Sequence, residues 1–327
     1  MENERRKEPG VISRRGFLKG GAAAFGGIVT ASTLPALADN PALFPQRGRW
    51  ERLSIGYHRI KAGAGKPFTV LHISDTHLTD AYPDEDGKKQ KLKKSRSRTF
   101  GGRQEEALRD SLAWAKEHVD YVVHTGDMID FQSRANFDLV RKYYGEGGAE
   151  MHGCLGNHEY SRNMEKAVEN EAYKDGTRSL VAEAYPFDTS LASSVLNGVN
   201  FVSLDNVYGT ITDGQMTRLE AEFKKGLPII LLMHCPVMTG KVALAYRRYW
   251  SKTDPKAIPD LGGRKELSPD SKATAKGYRQ WLKAQPLLKA ILAGHLHFDV
   301  EDRFSPTAMQ YVVGGNFLFH GQEIIIS

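Results

Sequence analysis

The sequence predicts an α/β layered protein, and three observations carry that reading. Short apolar runs alternate with segments of helical spacing along most of the chain. The 327 residues are 40% hydrophobic and 26% charged, a globular balance that excludes a wholly disordered, collagenous or multi-span membrane protein. No period typical of solenoids or propellers is present, and no second domain stands out. A chain of this length can bury its own core. Its two cysteines, Cys154 and Cys235, are too few for a disulfide scaffold or a Cys-rich zinc finger.

The elements follow in order. Residues 39–66 are rich in Pro, Gly and Arg and read as an arm or edge hairpin. Phe68–Ile73 is an apolar run that reads as a buried strand. Residues 79–103 read as a long polar loop, with seven Lys or Arg between Lys88 and Arg98. Gln104–His118 places Ala107, Leu108, Leu112 and Ala115 on one side of a helix. Tyr121–His124 and Met151–Leu155 read as strands, and Ala135–Tyr144 and Tyr160–Tyr173 as helices. In the second half, Phe201–Leu204, Pro228–Met233, Leu288–Leu292, Met309–Val313 and Glu323–Ile326 read as strands. Asp213–Lys225 and Ala273–Leu282 read as helices. Residues 239–272 form an insert too long for a plain connection.

The first 38 residues read as an address. Ser13-Arg14-Arg15-Gly16-Phe17-Leu18-Lys19 precedes a weakly apolar, Gly- and Ala-rich stretch that ends in Ala36-Leu37-Ala38. This resembles a bacterial twin-arginine export signal cleaved before Asp39. The resemblance implies the Tat export machinery as a partner and a periplasmic, extracellular or cell-envelope location. An uncleaved N-terminal anchor ranks second, because the stretch could barely span a bilayer. No stable transmembrane span is expected in the mature chain, which reads as one domain over 39–327. The formal charge of +6 falls to +3 without the signal, which is poor evidence for a nucleic-acid binder.

Five apolar runs end in residue types that bind metals, often beside glycine. They are Asp75-Thr76-His77, Gly126-Asp127, Gly156-Asn157-His158-Glu159, Met233-His234 and Gly294-His295-Leu296-His297. In extended chain, residues i and i+2 share a face, so Asp75 with His77, and His295 with His297, can each aim two side chains into one site. Ligands of open sheets gather at the carboxyl ends of strands, where these residues lie. The His, Asp and Asn donors favour divalent or trivalent manganese, iron, zinc, nickel or cobalt. A carboxylate can bridge two such ions, and Asp127 is placed to do so. Two metals about 3.5–4 Å apart suit phosphoester chemistry.

The order Asp-x-His, Gly-Asp, Gly-Asn-His-Glu, His, Gly-His-x-His resembles the calcineurin-like metallophosphoesterase family. Its motifs span Asp75 to His297. The resemblance implies a two-sheet β-sandwich flanked by helices. It implies Asp75, His77 and His297 as ligands of one metal, Asp127 as the bridge, and Asn157, His234 and His295 as ligands of the second. His158 is then the histidine that hydrogen-bonds the phosphate or protonates the leaving oxygen, and Glu159 a partner that orients His158. Asp130 stands where purple acid phosphatases carry a ligand tyrosine, so their coloured iron–tyrosinate site is not expected. The implied activity is hydrolysis of a phosphomonoester or phosphodiester by metal-activated water. The motifs do not choose among nucleotides, phospholipid head groups and cell-envelope polymers.

Other residues read as structural. His72, His124 and His152 lie in or beside strands and read as packed or hydrogen-bonded groups; His320 reads the same way. Cys154 and Cys235 read first as buried small side chains and second as a disulfide of an exported protein. The Lys88–Arg98 run reads first as a solvated loop and second as a lid that attracts an anionic substrate. Tyr246, Arg247, Arg248, Tyr249 and Trp250 read first as packing of the insert and second as the lining of a pocket for a sugar, lipid or nucleobase group. A metal-bearing binder of a phosphorylated ligand, without turnover, is the competing functional class. The presence of every expected ligand and of His158 weighs against it.

Overall fold

A computed structural model describes residues 50–146, 150–164, 171–209, 211–253 and 277–327. The export-signal reading of residues 1–38 lies outside them, as do residues 39–49 of the expected arm.

In chain order the elements are β1 (Ser54–Ile60), β2 (Phe68–Ile73), α1 (Gly87–Thr99), α2 (Gln104–His118), β3 (Tyr121–Thr125), α3 (Arg134–Glu146) and β4 (Met151–Cys154). Next come α4 (Glu171–Asp175), α5 (Arg178–Ala182), β5 (Leu191–Leu196), β6 (Val199–Leu204), α6 (Asp213–Lys224), β7 (Ile229–Leu232) and α7 (Gly240–Thr253). The last are α8 (Tyr278–Lys283), β8 (Leu288–Ala293), β9 (Val300–Arg303), β10 (Met309–Val312) and β11 (His320–Ile326). They build a five-stranded sheet ordered β1-β11-β2-β3-β4 and a six-stranded sheet ordered β5-β6-β7-β8-β10-β9. Both sheets are mixed. β2, β3 and β4 run parallel, as do β6, β7, β8 and β10. Residues 52–327 form one compact unit.

The two sheets pack face to face. Val70 and Val123 of one meet Phe201, Ile230, Leu232, Ala290 and Leu292 of the other in a shared core. The residues between them on β7 and β8, Ile229, Leu231 and Ile291, point the other way and pack with Leu219 and Phe223 of α6 and Leu282 of α8. A strand covered on both faces needs apolar residues at every position, which is why Ile229–Leu232 is an unbroken apolar run. α6 starts where expected because Thr212 and Gln215 form a reciprocal capping box.

Several elements differ from the sequence reading. The expected polar loop over 79–103 contains helix α1. Its inward side chains are satisfied by polar partners, so it carries no apolar stripe to read. Asp86 caps it by accepting from the Lys88 amide. β1 is an edge strand paired parallel to β11, so residues 54–60 form no hairpin. β5 and β9 went unread. β5 and β6 form a hairpin across Asn197-Gly198, both at positive φ, and that dipeptide was the available signal. Of the expected helix over 160–173, residues 165–170 lie outside the described ones; residues 157–160 form a turn, and the short α4 starts at Glu171. Of the insert, Gly240–Thr253 is helix α7, and residues 254–272 lie outside the described ones. Tyr246 packs with Val242, Leu296 and Val312, in line with a packing role, whereas Arg248 and Tyr249 line a cleft with Lys241, Phe298, Asp299 and Glu301. No helix among the described residues is long and apolar enough to cross a membrane.

His72 and His124 are buried in the first sheet. Each ring meets a threonine hydroxyl at 2.9 Å, Thr125 for His72 and Thr76 for His124. Burial lowers their pKa values to about 3 and about 4. The unfolded chain takes these protons first, near pH 6.5. Folding stability is therefore expected to fall as pH drops below about 6.5, with the loss continuing toward the lowered native values. Urea midpoints at pH 7.5 and pH 5 test this, and His72→Gln should shrink the difference. An equal difference in the variant would remove His72 from the account.

Candidate metal centre

The loops after β2, β3, β4, β7 and β8 meet at one edge of the sandwich. They are tied by main chain: Asp75 and His77 amides donate to the Gly126 and Asp127 carbonyls at 2.9 Å, and the Gly294 amide donates to His234 at 3.2 Å. Asp75, His77, Asp127, His295 and His297 all have φ between 52° and 71°. Non-glycine residues seldom hold this left-handed conformation, which costs about 1–3 kcal/mol each and gathers at functional sites.

The side chains form two groups that share Asp127. Asp75, His77, Asp127 and His297 make one, and Asp127, His234 and His295 the other; within each, the donor atoms lie within 4.8 Å of one another. His297 Nε2 lies 3.3 Å from Asp75 Oδ1 and 3.0 Å from His77 Nε2. Asp127 Oδ2 lies 3.2 Å from His234 Nε2, which is 3.2 Å from His295 Nδ1. Asn157 directly precedes His158, whose amide donates to Asp127 Oδ1 at 2.8 Å.

The donor set fits metal ions. His77 commits Nδ1 to Asp130 at 3.1 Å, and His234 commits Nδ1 to the Thr125 carbonyl at 2.7 Å. Those bonds leave each Nε2 lone pair facing the site. Imidazole nitrogens then face one another at about hydrogen-bond distance, an arrangement that a cation between donors resolves. Asp75 Oδ1 and Asn157 Oδ1 are buried and make no hydrogen bond among the described residues.

Electrostatics follow from burial and crowding. Burial favours the neutral acid at Asp75 and Asp127, but the surrounding histidines outweigh it and hold both carboxyls below the usual range. Burial and the neighbouring His234 lower His295 to about 3. Burial alone would lower His234, but Asp127 raises it to about 9. His158 behaves likewise: burial lowers it, Asp127 and Asp130 outweigh burial, and its pKa reaches about 10. Its Nδ1 bonds the Asp130 main-chain carbonyl at 2.8 Å with Asp130 Oδ1 alongside at 3.0 Å, and its Nε2 lies 4.0 Å from Asp127 Oδ2.

Glu159 does not do what was expected of it. Among the described residues its carboxylate accepts from the amides of Gly156, Asp127 and Met128 and from the Tyr185 hydroxyl, not from His158. It pins two site loops together by their main chain. Asp130 is the residue that orients His158, through its main-chain carbonyl at 2.8 Å, and its Oδ1 holds His77. Sequence reasoning noted Asp130 only for not being tyrosine; its spacing three after Asp127 was the available cue. Phe100 and Phe317 were also missed. Phe100 stacks on His77 at 4.2 Å and 10°, and Phe317 meets His297 at 5.2 Å. Cys154 and Cys235 are free and buried, and His320 pairs with Asp299 at 2.9 Å.

Two glycines permit the close packing. A Cβ on Gly294 would fall 1.9 Å from Ser74 Oγ, and one on Gly156 would fall 2.2 Å from Asp127 Oδ1 and 2.4 Å from its amide nitrogen. Gly156→Ala is therefore expected to displace Asp127 and lower kcat by about 10²-fold, the scale of an ångström misplacement. Metal content by mass spectrometry and kcat on an aryl phosphate check it. Wild-type values for both would mean the loop has slack that the packing does not suggest.

Residues 68–299 match the family described as calcineurin-like phosphoesterase. The chain belongs to that family. As a member of that family it is a phosphoric ester hydrolase. A dimetal phosphatase from Danio rerio is 16% identical with a TM-score of 0.46, the match covering 76% of this chain and 88% of that one. A purple acid phosphatase from yellow lupin seeds is 13% identical at a TM-score of 0.45, over 77% of this chain and 45% of that one. A 5'-nucleotidase from Candida albicans is 10% identical at 0.37, over 81% and 47%. No curated protein matches the phosphoesterase.

Proposed function

We propose that this phosphoesterase is an exported enzyme that uses two metal ions to hydrolyse phosphomonoesters or phosphodiesters. The observation that carries the reading is the pair of donor groups meeting at one shared carboxylate, Asp127. Asp75, His77 and His297 would hold one ion with Asp127, and Asn157, His234 and His295 the other. Bound there, the ions would supply charge neutralisation at the phosphate oxygens and bring water to a nucleophilic pKa.

The chain supplies the rest. The Asp130 main-chain carbonyl takes the Nδ1–H of His158 and leaves Nε2 turned toward Asp127, so the proton for the leaving oxygen is held at Nε2. Phe100 and Phe317 pack on the His77 and His297 rings and limit water around them. Glu159 keeps the Gly156 and Asp127 loops in register. The substrate carries a phosphoryl group on a nucleotide, a phospholipid head group or a cell-envelope polymer. The Arg14-Arg15 motif supports export by the twin-arginine route.

Hydrolysis of paired chromogenic phosphomonoester and phosphodiester substrates by metal-loaded protein tests the activity and ranks the two ester classes. No turnover of either across manganese, iron, zinc, nickel and cobalt would defeat the general-hydrolase reading. N-terminal sequencing of protein recovered outside the cytoplasm should begin at Asp39; a start well before it would defeat cleavage there.

A further inference from the structure

Helix α1 approaches the metal centre with one side. Lys89, Lys93, Arg96 and Phe100 recur at spacings of four, three and four, so they share a face. Lys89 donates to the Arg162 carbonyl, and Lys93 pairs with Asp80 and donates to the Ala81 carbonyl. Lys88, Lys91, Lys94 and Arg98 lie on the exposed side.

Arg96 makes the most specific contact. Its Nε donates to Asp130 Oδ2 at 2.6 Å and its Nη2 to Oδ1 at 2.9 Å. The guanidinium lies 5.0 Å from the centroid of Phe100, whose ring stacks on His77. Asp130 is fully buried; its Oδ1 bonds His77 Nδ1 at 3.1 Å and lies 3.0 Å from His158 Nδ1, whose hydrogen bond runs to the Asp130 main-chain carbonyl at 2.8 Å. One residue thus serves two histidines with different jobs in the proposed reaction, His77 through its carboxylate and His158 through its main chain with the carboxylate alongside. A carboxylate held only by imidazoles can turn about its side-chain torsion; a bidentate guanidinium fixes its plane.

We propose that Arg96 is a positioning residue. By fixing the Asp130 carboxylate it sets the orientation of the His77 ring and holds that carboxylate against His158 Nδ1, and α1 is the element that delivers it. The inference rests on the reading of His77 as a ligand and His158 as a proton donor. Arg96 touches neither the proposed metal ligands' donor atoms nor His158 directly, so its effect is on geometry.

The test uses the full chain with Arg96→Ala and Arg96→Lys. Expected for Arg96→Ala is a kcat about 10–100-fold lower, the usual scale for losing a partner that orients ligands. KM should stay within about twofold, since no substrate contact is lost. Guanidinium ion added to Arg96→Ala should restore part of kcat, while sodium chloride at the same ionic strength should not. Arg96→Lys keeps the charge without the fork and should recover only part of the loss. A second readout needs no turnover: in protein with ¹⁵N-labelled histidine, the Nδ1–H signals of His77 and His158 should both broaden or shift in Arg96→Ala. If the wild-type protein hydrolyses no ester, the functional reading fails while these signals still report on Arg96. Unchanged signals with wild-type kcat would overturn the proposal, and so would a loss confined to KM. Should Arg96→Ala fail to fold, Arg96→Lys carries the same readouts, and wild-type kcat and signals there would overturn it.

Discussion

Asp127→Asn is expected to lower kcat by on the order of 10³-fold, about 4 kcal/mol of barrier, in a protein that stays folded. The amide keeps an oxygen to accept from the His158 main chain, so the loop retains its 2.8 Å hydrogen bond. What it loses is the negative charge that faces His77, His158 and His234 together. Both donor groups include this carboxylate, so the variant should also bind less than the wild-type complement of metal. Steady-state kinetics, metal analysis and circular dichroism on one preparation check the three parts. A folded variant with full activity would remove Asp127 from the shared position.

His158→Asn should separate leaving groups. Alkyl phosphates need a proton at the departing oxygen, and their kcat should fall by about 10²–10⁴-fold. p-Nitrophenolate leaves without one, so its ester should lose far less. Equal losses on both esters would mean His158 does not act as the acid. The pH profile carries the same assignment. Asp127 and Asp130 overcome burial and raise His158 to about 10, so the proton is present below that pH and lost as pH rises through it. Cations beside Asp127 would offset part of its charge, and the alkaline limb of the loaded enzyme should fall below about 10. The limb should be absent from His158→Asn.

The sequence alone determined the family, the layered α/β class and the residues that meet at the centre. It could do so because these features are local. Period-two spacing puts Asp75 with His77 and His295 with His297 on common faces, and unbroken apolar runs such as Ile229–Leu232 mark strands covered on both sides. The tertiary structure alone decided what surrounds that centre. Glu159 reaches back across 32 residues to the Asp127 amide, while Asp130 takes His158 in its place. β1 joins a parallel partner more than 260 positions away, which no local pattern encodes. Helix α1 leaves no periodic trace because its inward contacts are ion pairs and carbonyl bonds rather than apolar packing. A basic run that reads as solvated chain thereby places Arg96 on Asp130 and Phe100 on His77. Polar satisfaction depends on where a partner lies in space, and only the folded chain supplies that.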